Sequence, residues 1–131
     1  MHYLCIDIKN TTMNLDNTKA QMRKGILEYC IFLIISQKDA YTPDIIAKLQ
    51  ESRIIVVEGT IYPLLTHLKN SGFLEYRWEE SSQGPPRKYY RLTDKGFSFL
   101  NELDSAWEEL IFAVNNVKEN YQTQLYTNED E

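Results

Sequence analysis

The sequence predicts a mainly α-helical domain with one small β-hairpin, an α+β fold. Apolar residues recur at helical spacing over four separate segments, two short runs rich in aromatic residues have the character of strands, and turn residues separate those two runs. With 131 residues, of which 43% are hydrophobic, the chain can build one modest core. We expect three helices, a hairpin and a long last helix, in that order.

The first two helices are predicted from spacing and cap residues. Residues 1–17 are polar with no sustained period, so we expect a poorly ordered leader. The first helix is predicted over residues 18–36, where apolar side chains recur every three to four positions. The second is predicted over 43–52, with Thr42 as its N-cap and Pro43 in its first helical position.

The third helix is predicted over residues 59–71. Pro63 is expected in its first turn or so, where backbone donors lack partners within the helix, and Gly72 is placed to end it in a left-handed conformation. Its apolar face consists of Ile61, Leu64, Leu65 and Leu68. The residues predicted to lie on the opposite side or on its flank are Thr60, Tyr62, Pro63, Thr66, His67 and Lys69.

A hairpin and a last helix complete the predicted order. The segments "FLEYRWEE" and "RKYYRLT" are typical of strands, and "SSQGPP" between them is typical of a turn that Gly84 and the prolines stiffen. Thr93 and Asp94 are expected to cap a helix that extends to about Asn120. The predicted division is a domain over 18–95, a helix over 96–120 and an acidic flexible tail over 121–131.

Charge is distributed unevenly along a chain whose net charge is −5. Residues 19–95 carry 12 positive and 9 negative groups, whereas residues 96–131 carry 1 and 8. A basic middle indicates a surface that faces a polyanion, although ordinary solvated faces explain the charge equally well. The cations expected on the hairpin, with Arg87 and Lys88 flanking its tip, are Arg77, Arg87, Lys88 and Arg91.

Several classes of protein are not expected. Cys5 and Cys30 form no disulfide framework, and no apolar run approaches the roughly 20 residues of a membrane helix, so we expect a cytoplasmic protein. The only histidines are His2 and His67, and neither a glycine-rich phosphate loop nor a nucleophile with its base is present. We therefore predict no enzyme, no cofactor and no metal site.

Three short helices followed by a hairpin describe a winged helix-turn-helix, in which the third helix enters the major groove of DNA and the hairpin, the wing, reaches phosphates. The alternative for the wing is a surface hairpin whose prolines prevent edge pairing and whose cations confer solubility. The alternative for His67 is that it is an ordinary exposed polar residue, and the alternative for Tyr62 is that it is a packing residue.

The last helix carries an apolar seam at coiled-coil spacing, which predicts a homodimer. Two-fold symmetry would present two recognition helices to a palindromic operator. The alternative is that this helix folds back on its own domain. The residues of the seam are Leu100, Leu103, Trp107, Leu110, Val114, Val117 and Tyr121.

Three blocks, "MRKGILEYCIFLII", "EGTIYPLLTHLKNSGFLE" and "GPPRKYYRLTDKG", resemble the signature blocks of the PadR family of bacterial transcriptional regulators. The resemblance covers residues 22–117 and indicates the short-tailed branch, whose members have a single C-terminal helix. It implies that Tyr62 and Pro63 are characteristic recognition-helix positions. One departure is Ala40, which precedes Tyr41 where the family usually shows glycine.

The resemblance also implies an effector site, because short members include multidrug sensors that hold planar cationic compounds between a pair of tryptophans. Trp107 matches that position, and Asp104 and Glu108 could add negative charge. The plain alternative is that Trp107 only fills the dimer core. The function expected is a dimeric, DNA-binding repressor that an aromatic ligand releases; the alternative is a winged-helix module for protein contacts without sequence-specific DNA binding.

Overall fold

The computed structural model describes residues 14–129, with side chains up to Tyr121, and contains four helices and one two-stranded antiparallel sheet in that range. The predicted class and order of elements are confirmed. The elements are α1 (Leu15–Gln37), α2 (Thr42–Glu51), α3 (Glu58–Asn70), β1 (Leu74–Ser81), β2 (Gly84–Leu92) and α4 (Asp94–Glu129).

One apolar core joins all six elements. Ile31 and Phe32 of α1 lie at its centre and are fully buried. The ring of Phe32 contacts Phe73 with centroids 5.7 Å apart and Phe99 with centroids 5.6 Å apart, and Phe73 stacks on Phe99 at 4.5 Å. Because these rings come from α1, the turn before β1 and α4, they fix the hairpin and the last helix against the first.

The first helix begins earlier than the sequence predicts. Asn14 is its N-cap, with its side-chain oxygen accepting from the backbone N–H of Asn17 at 2.8 Å. The expectation of a leader as far as residue 17 is therefore wrong for residues 15–17, because an asparagine cap supplies the helix start. Residues 1–13 lie outside the described range.

The second helix has a different cap from the predicted one. Tyr41 is the N-cap and makes no side-chain cap bond, while Thr42 is the first helical residue and is buried. The preceding Ala40 forms a bridge with β2: its N–H donates to the carbonyl of Tyr90 at 3.1 Å, and Tyr90 N–H donates back at 2.8 Å. This bridge extends the hairpin and holds the start of α2 at its base.

The third helix begins at Glu58, so Pro63 lies in its second turn and not in the first. There Pro63 removes the donor that would otherwise bond to the carbonyl of Gly59. Gly72 adopts a φ of 85° just after the helix, which confirms the predicted left-handed termination. The chain can then turn directly into β1.

The hairpin turn is shorter than predicted. Ser81 pairs with Gly84, so Ser82 and Gln83 form the turn, and an irregularity in register lies between Glu79 and Ser81. The expectation that Gly84, Pro85 and Pro86 stiffen the turn is wrong, because all three are the first residues of β2. Proline is tolerated at the start of a strand, and among residues 14–129 β2 has a partner strand on one side only.

The last helix starts as predicted but extends further. Thr93 Oγ1 accepts from the N–H of Gly96 at 3.0 Å, which makes Thr93 the expected cap. The predicted end near Asn120 is wrong, because the helix continues to Glu129 through a segment without glycine or proline. The rest of the predicted tail, residues 130–131, lies outside the described range. Within residues 14–129, no helix is both long and apolar enough to cross a membrane.

Candidate nucleic-acid interface

The third helix buries one face and exposes the other. Ile61, Leu65 and Leu68 are buried in the core, which orients the helix. The predicted groove-facing residues are all exposed, as the spacing requires: Thr60, Tyr62, Pro63, Thr66, His67 and Lys69. Tyr62 is 48% exposed and so is not a core residue, while its alternative as a packing residue on the helix surface stays open. Contact of this face with DNA stays a prediction.

Side-chain bonds along α3 partly fix this face. The hydroxyl of Tyr62 donates to Oε1 of Glu58 at 3.5 Å, and Oγ1 of Thr66 donates to the carbonyl of Tyr62 at 3.1 Å. Glu58 is thus a residue of this face that the sequence analysis missed, although its position one helical turn before Tyr62 could have identified it. A tyrosine hydroxyl has a single proton to donate, and in this arrangement the proton of Tyr62 is directed at the Glu58 carboxylate.

The wing separates its cations between two faces. Pairing of Glu75 with Arg91, Arg77 with Tyr89 and Glu79 with Arg87 places the three arginines on one face. Lys88 pairs with Trp78 and lies on the other face, with Tyr76 and Tyr90. The expectation of one cationic strip along the strands is therefore wrong, because successive strand residues point to opposite sides of the sheet.

Two of the arginines already have acidic partners. The guanidinium of Arg77 lies 3.0 Å from Oε2 of Glu79 and 3.5 Å from Oδ2 of Asp39, and Arg91 binds the carboxylate of Glu75. The hydrogen bond to Glu79 is the main cause that raises the pKa of Arg77. These exposed pairs contribute little stability because solvent screens them, but they offset the positive charge of this face.

The arginine face of the wing packs against the start of α2. The guanidinium of Arg87 lies 5.0 Å from the ring centroid of Tyr41, and that of Arg77 lies 4.9 Å from Tyr89. The rings of Tyr41 and Tyr89 are 5.5 Å apart. Tyr89 is also the main cause that raises the pKa of Arg87. This cluster joins the wing to the start of α2.

Lys88 lies among aromatic rings on the opposite face. Its Nζ is 3.9 Å from the ring centroid of Tyr76, 5.4 Å from that of Tyr90 and 5.9 Å from that of Trp78. The same Tyr76 ring lies 5.6 Å from Nζ of Lys69, which belongs to α3. This face of the wing is therefore continuous with the exposed side of α3.

The predicted dimer seam divides into two parts. Leu100 is 7% exposed and belongs to the core, and Leu103 packs against that core. In this first part α4 packs on its own domain, which is the alternative to a dimer seam. Further along, large apolar side chains are exposed: Leu110, Val114, Val117 and Tyr121. Their role in a dimer stays a prediction.

Trp107 contacts the first helix of its own chain. Its ring centroid lies 6.1 Å from that of Tyr29, whose hydroxyl donates to Oδ1 of Asp104. That hydrogen bond, followed by burial and the charges of Asp104 and Glu108, raises the pKa of Tyr29 from 10.0 to about 12. Asp104 thus already has a partner, which the sequence analysis did not foresee because Tyr29 is distant in sequence.

Next to this contact lies an apolar groove of about 590 Å³ between α1 and α4. Met22, Ile26, Trp107, Leu110 and Val114 are among the residues that line it. The predicted effector residue Trp107 therefore does border a cavity. Its walls include α1 residues that only the packing of the two helices identifies.

The comparisons with known proteins agree with this geometry. The family described as "Transcriptional regulator PadR-like family" matches residues 31–102. The solved structure of a PadR-like transcription factor from Bacteroides fragilis is 62% identical and covers 77% of this chain and 98% of that chain, with a TM-score of 0.65. A PadR-like transcriptional regulator from Bacillus cereus is 42% identical over 74% of this chain and 95% of that chain, with a TM-score of 0.67.

A further relative is an uncharacterised protein of Lysinibacillus sphaericus, 30% identical over 95 residues that span 70% of this chain and 87% of the relative. The family match covers α2, α3, the wing and the start of α4, and so includes the surface formed by α3 and the wing. This chain belongs to the PadR-like family of transcriptional regulators.

Proposed function

We propose that this protein binds duplex DNA as a homodimer, with α3 in the major groove and the wing on the adjacent backbone, and that it represses transcription from a palindromic operator. The observation that carries the proposal is that α3 has one buried apolar face and one exposed polar face. Ile61, Leu65 and Leu68 anchor it in the core, while Thr60, Tyr62, Thr66 and Lys69 face solvent on one continuous surface. Hydroxyl and ammonium groups are donors that bond phosphates and base edges.

The second half of α4 supports the homodimer. Leu110, Val114, Val117 and Tyr121 keep coiled-coil spacing and are all about half exposed or more, with Val117 at 68%. A helix that exposes an apolar stripe of this kind gains stability when another helix covers it. A two-fold axis through α4 would set two copies of α3 one helical turn of DNA apart, which is the spacing of half-sites in a palindrome.

The groove beside Trp107 supports release by a flat aromatic ligand. A ring that stacks on Trp107 would contact both α1 and α4, so its binding would change how α4 lies on the domain and hence the spacing of the two α3 helices. Fluorescence during titration with planar cationic dyes tests this: quenching should occur in the wild type and be lost in Trp107→Phe. Equal quenching in both proteins, or none in either, would remove the effector site.

The experiment that tests the function is nuclease protection of the duplex upstream of the chain's own coding region. We expect two protected half-sites about one helical turn apart, and loss of protection in Val114→Lys, which places a charge in the apolar stripe. The alternative is a winged-helix module that binds another protein. No protection, together with no salt-dependent shift of any duplex, would support that alternative and contradict the proposal.

A further inference from the structure

Two lysines from different elements meet at one aromatic ring. Nζ of Lys88, on β2, lies 3.9 Å from the ring centroid of Tyr76, and Nζ of Lys69, on α3, lies 5.6 Å from it. The electron-rich ring face attracts both ammonium groups, which would otherwise repel each other. Tyr76 therefore holds a charge of the wing next to a charge of the recognition helix.

These two cations are also available, unlike Arg77 and Arg91 of the opposite face. Arg77 and Arg91 contact carboxylates, whereas neither Lys69 nor Lys88 forms an ion pair with any residue in the described range. An ammonium on an aromatic ring keeps its charge and its capacity to donate hydrogen bonds. Two such groups on one surface favour an anion that can accept hydrogen bonds from both of them.

An exposed indole extends the same face towards the tip of the wing. Trp78 is 63% exposed and Tyr76 is 37% exposed, while Tyr90 at the base of the hairpin is buried. The rings of Tyr76 and Trp78 meet edge to face, with centroids 6.1 Å apart. A flat apolar surface beside unpaired ammonium groups matches the alternation of sugar and phosphate along a nucleic-acid strand.

We propose that Lys69, Tyr76, Trp78 and Lys88 form one site for the sugar–phosphate backbone, in which the lysines bind neighbouring phosphates, Tyr76 positions both ammonium groups and Trp78 packs against deoxyribose. The inference rests on the proposed function, since it presumes that α3 approaches duplex DNA. It assigns two aromatic residues that the sequence analysis did not single out, and it makes this face of the wing, not the arginine face, the one in contact with DNA.

The test is the salt dependence of binding by the full-length chain to a fluorescently labelled duplex of about two helical turns. Lys69→Gln and Lys88→Gln should each lower the slope of log affinity against log salt by about 0.9 for each subunit bound, and the double variant by about twice that. Each lost contact then reduces the fall in affinity between about 50 and 200 mM salt by about 3.5-fold. Lys118→Gln, which removes an equal charge from an exposed position on α4, is the matched control and should leave the slope unchanged.

The role of Tyr76 is tested by substitution with and without loss of the ring. Tyr76→Phe keeps the ring and should keep the slope, whereas Tyr76→Leu should lower it as a lysine substitution does. Binding of DNA should also change the wild-type tryptophan fluorescence, and Trp78→Phe should abolish that change. Lys69 and Trp78 are exposed and Lys88 is only partly buried, so these variants should fold and the inference can be refuted even if Tyr76→Leu does not fold.

The outcomes separate this inference from the proposed function. If the wild type binds duplex DNA with a steep salt slope but the lysine and Tyr76→Leu variants keep that slope, the inference is wrong and the proposed function stands. Retention of the fluorescence change in Trp78→Phe would remove Trp78 from the site. Failure of the wild type to bind any duplex would overturn both.

Discussion

Substitution of Gly96 by alanine should strongly destabilise the domain. Gly96 is buried in the first turn of α4, where its N–H bonds to Thr93 Oγ1. A Cβ atom at this position would lie 2.2 Å from the carbonyl oxygen of Phe73 and 3.3 Å from Cδ2 of Leu92. That carbonyl also accepts from Thr93 N–H at 3.1 Å, so it is fixed by the connection between the wing and α4.

The magnitude follows from how far the backbone must move. The alanine Cβ would be about 1 Å closer to a backbone oxygen than ordinary contact allows, and no side-chain rotation can relieve the clash. Overpacking of a well-packed site costs about 1–3 kcal/mol, and the fixed backbone places Gly96→Ala at the upper end of that range. The gain in helix propensity offsets about 1 kcal/mol at most. We expect a net loss of about 2–3 kcal/mol, or about 10 °C in melting temperature.

Thermal unfolding monitored by circular dichroism measures this effect, with Gly59→Ala as the matched control. A Cβ at Gly59 meets nothing within 4 Å, so the same substitution there should leave stability unchanged or raise it by about 0.5 kcal/mol. A melting temperature for Gly96→Ala within about 2 °C of the wild type would refute the reasoning, because the connection would then be loose enough to move without cost.

Three further predictions concern α1, α3 and α4. Tyr29→Phe should remove a pH dependence of stability. Because the folded-state pKa of Tyr29 is raised from 10.0 to about 12, the folded state binds more protons than the unfolded state between these pH values. The free energy of unfolding of the wild type, measured by chemical denaturation, should therefore fall across that pH range, and the variant should lack this part of the fall. Tyr62→Ala should lower affinity for duplex DNA at least about fivefold in an anisotropy titration. The melting temperature of the variant should stay within about 5 °C of the wild type, because the side chain is half exposed. Unfolding of the variant would contradict the placement of Tyr62 on the exposed side of α3. Leu103→Lys should destabilise the domain itself, because Leu103 packs on the core. Val114→Lys should instead convert dimers to monomers in sedimentation and leave the folded monomer intact, because Val114 is half exposed. A wild type that is monomeric at micromolar concentration would contradict the dimer.

The sequence was sufficient for the order of elements because local patterns agree with the final packing. The three-to-four spacing of Ile61, Leu65 and Leu68 predicts which side of α3 is buried, and the structure confirms it. Gly72 and Thr93 were identifiable as a helix stop and a helix cap, since each has a specific backbone role that few other residues fill. These are local signals that do not depend on distant parts of the chain.

The errors come from contacts between distant segments and from competing local signals. Arg77 and Arg91 were expected to be available cations, but strand pairing places Glu75 and Glu79 on their face and the loop before α2 brings Asp39 to Arg77. The two-residue period of a strand already places Lys88 on the face opposite to Arg87 and Arg91, but which acidic residues of β1 share the arginine face depends on the register of the hairpin. The prolines after Gly84 indicated a turn, although a strand with a free edge accepts them equally well.

The groove beside Trp107 likewise depends on a contact between distant segments of the chain. Trp107 was identifiable as a residue of interest from its position in the seam, but Tyr29 lies in another helix and its contact depends on how α1 and α4 cross. The seam pattern likewise predicts a continuous apolar stripe on α4, and only the packing of the domain shows that Leu100 lies inside the core while Val117 faces solvent. Periodicity identifies an apolar face without naming what covers it.

The affinity of the wild-type protein for duplex DNA as a function of salt tests the central claim most directly. If α3 and the wing of two subunits contact about four or more phosphates, log affinity should fall linearly with log salt, and affinity should decrease at least about a hundredfold between about 50 and 200 mM. An affinity for duplex DNA that is independent of salt, or the absence of binding at the lowest salt concentration, would contradict the account.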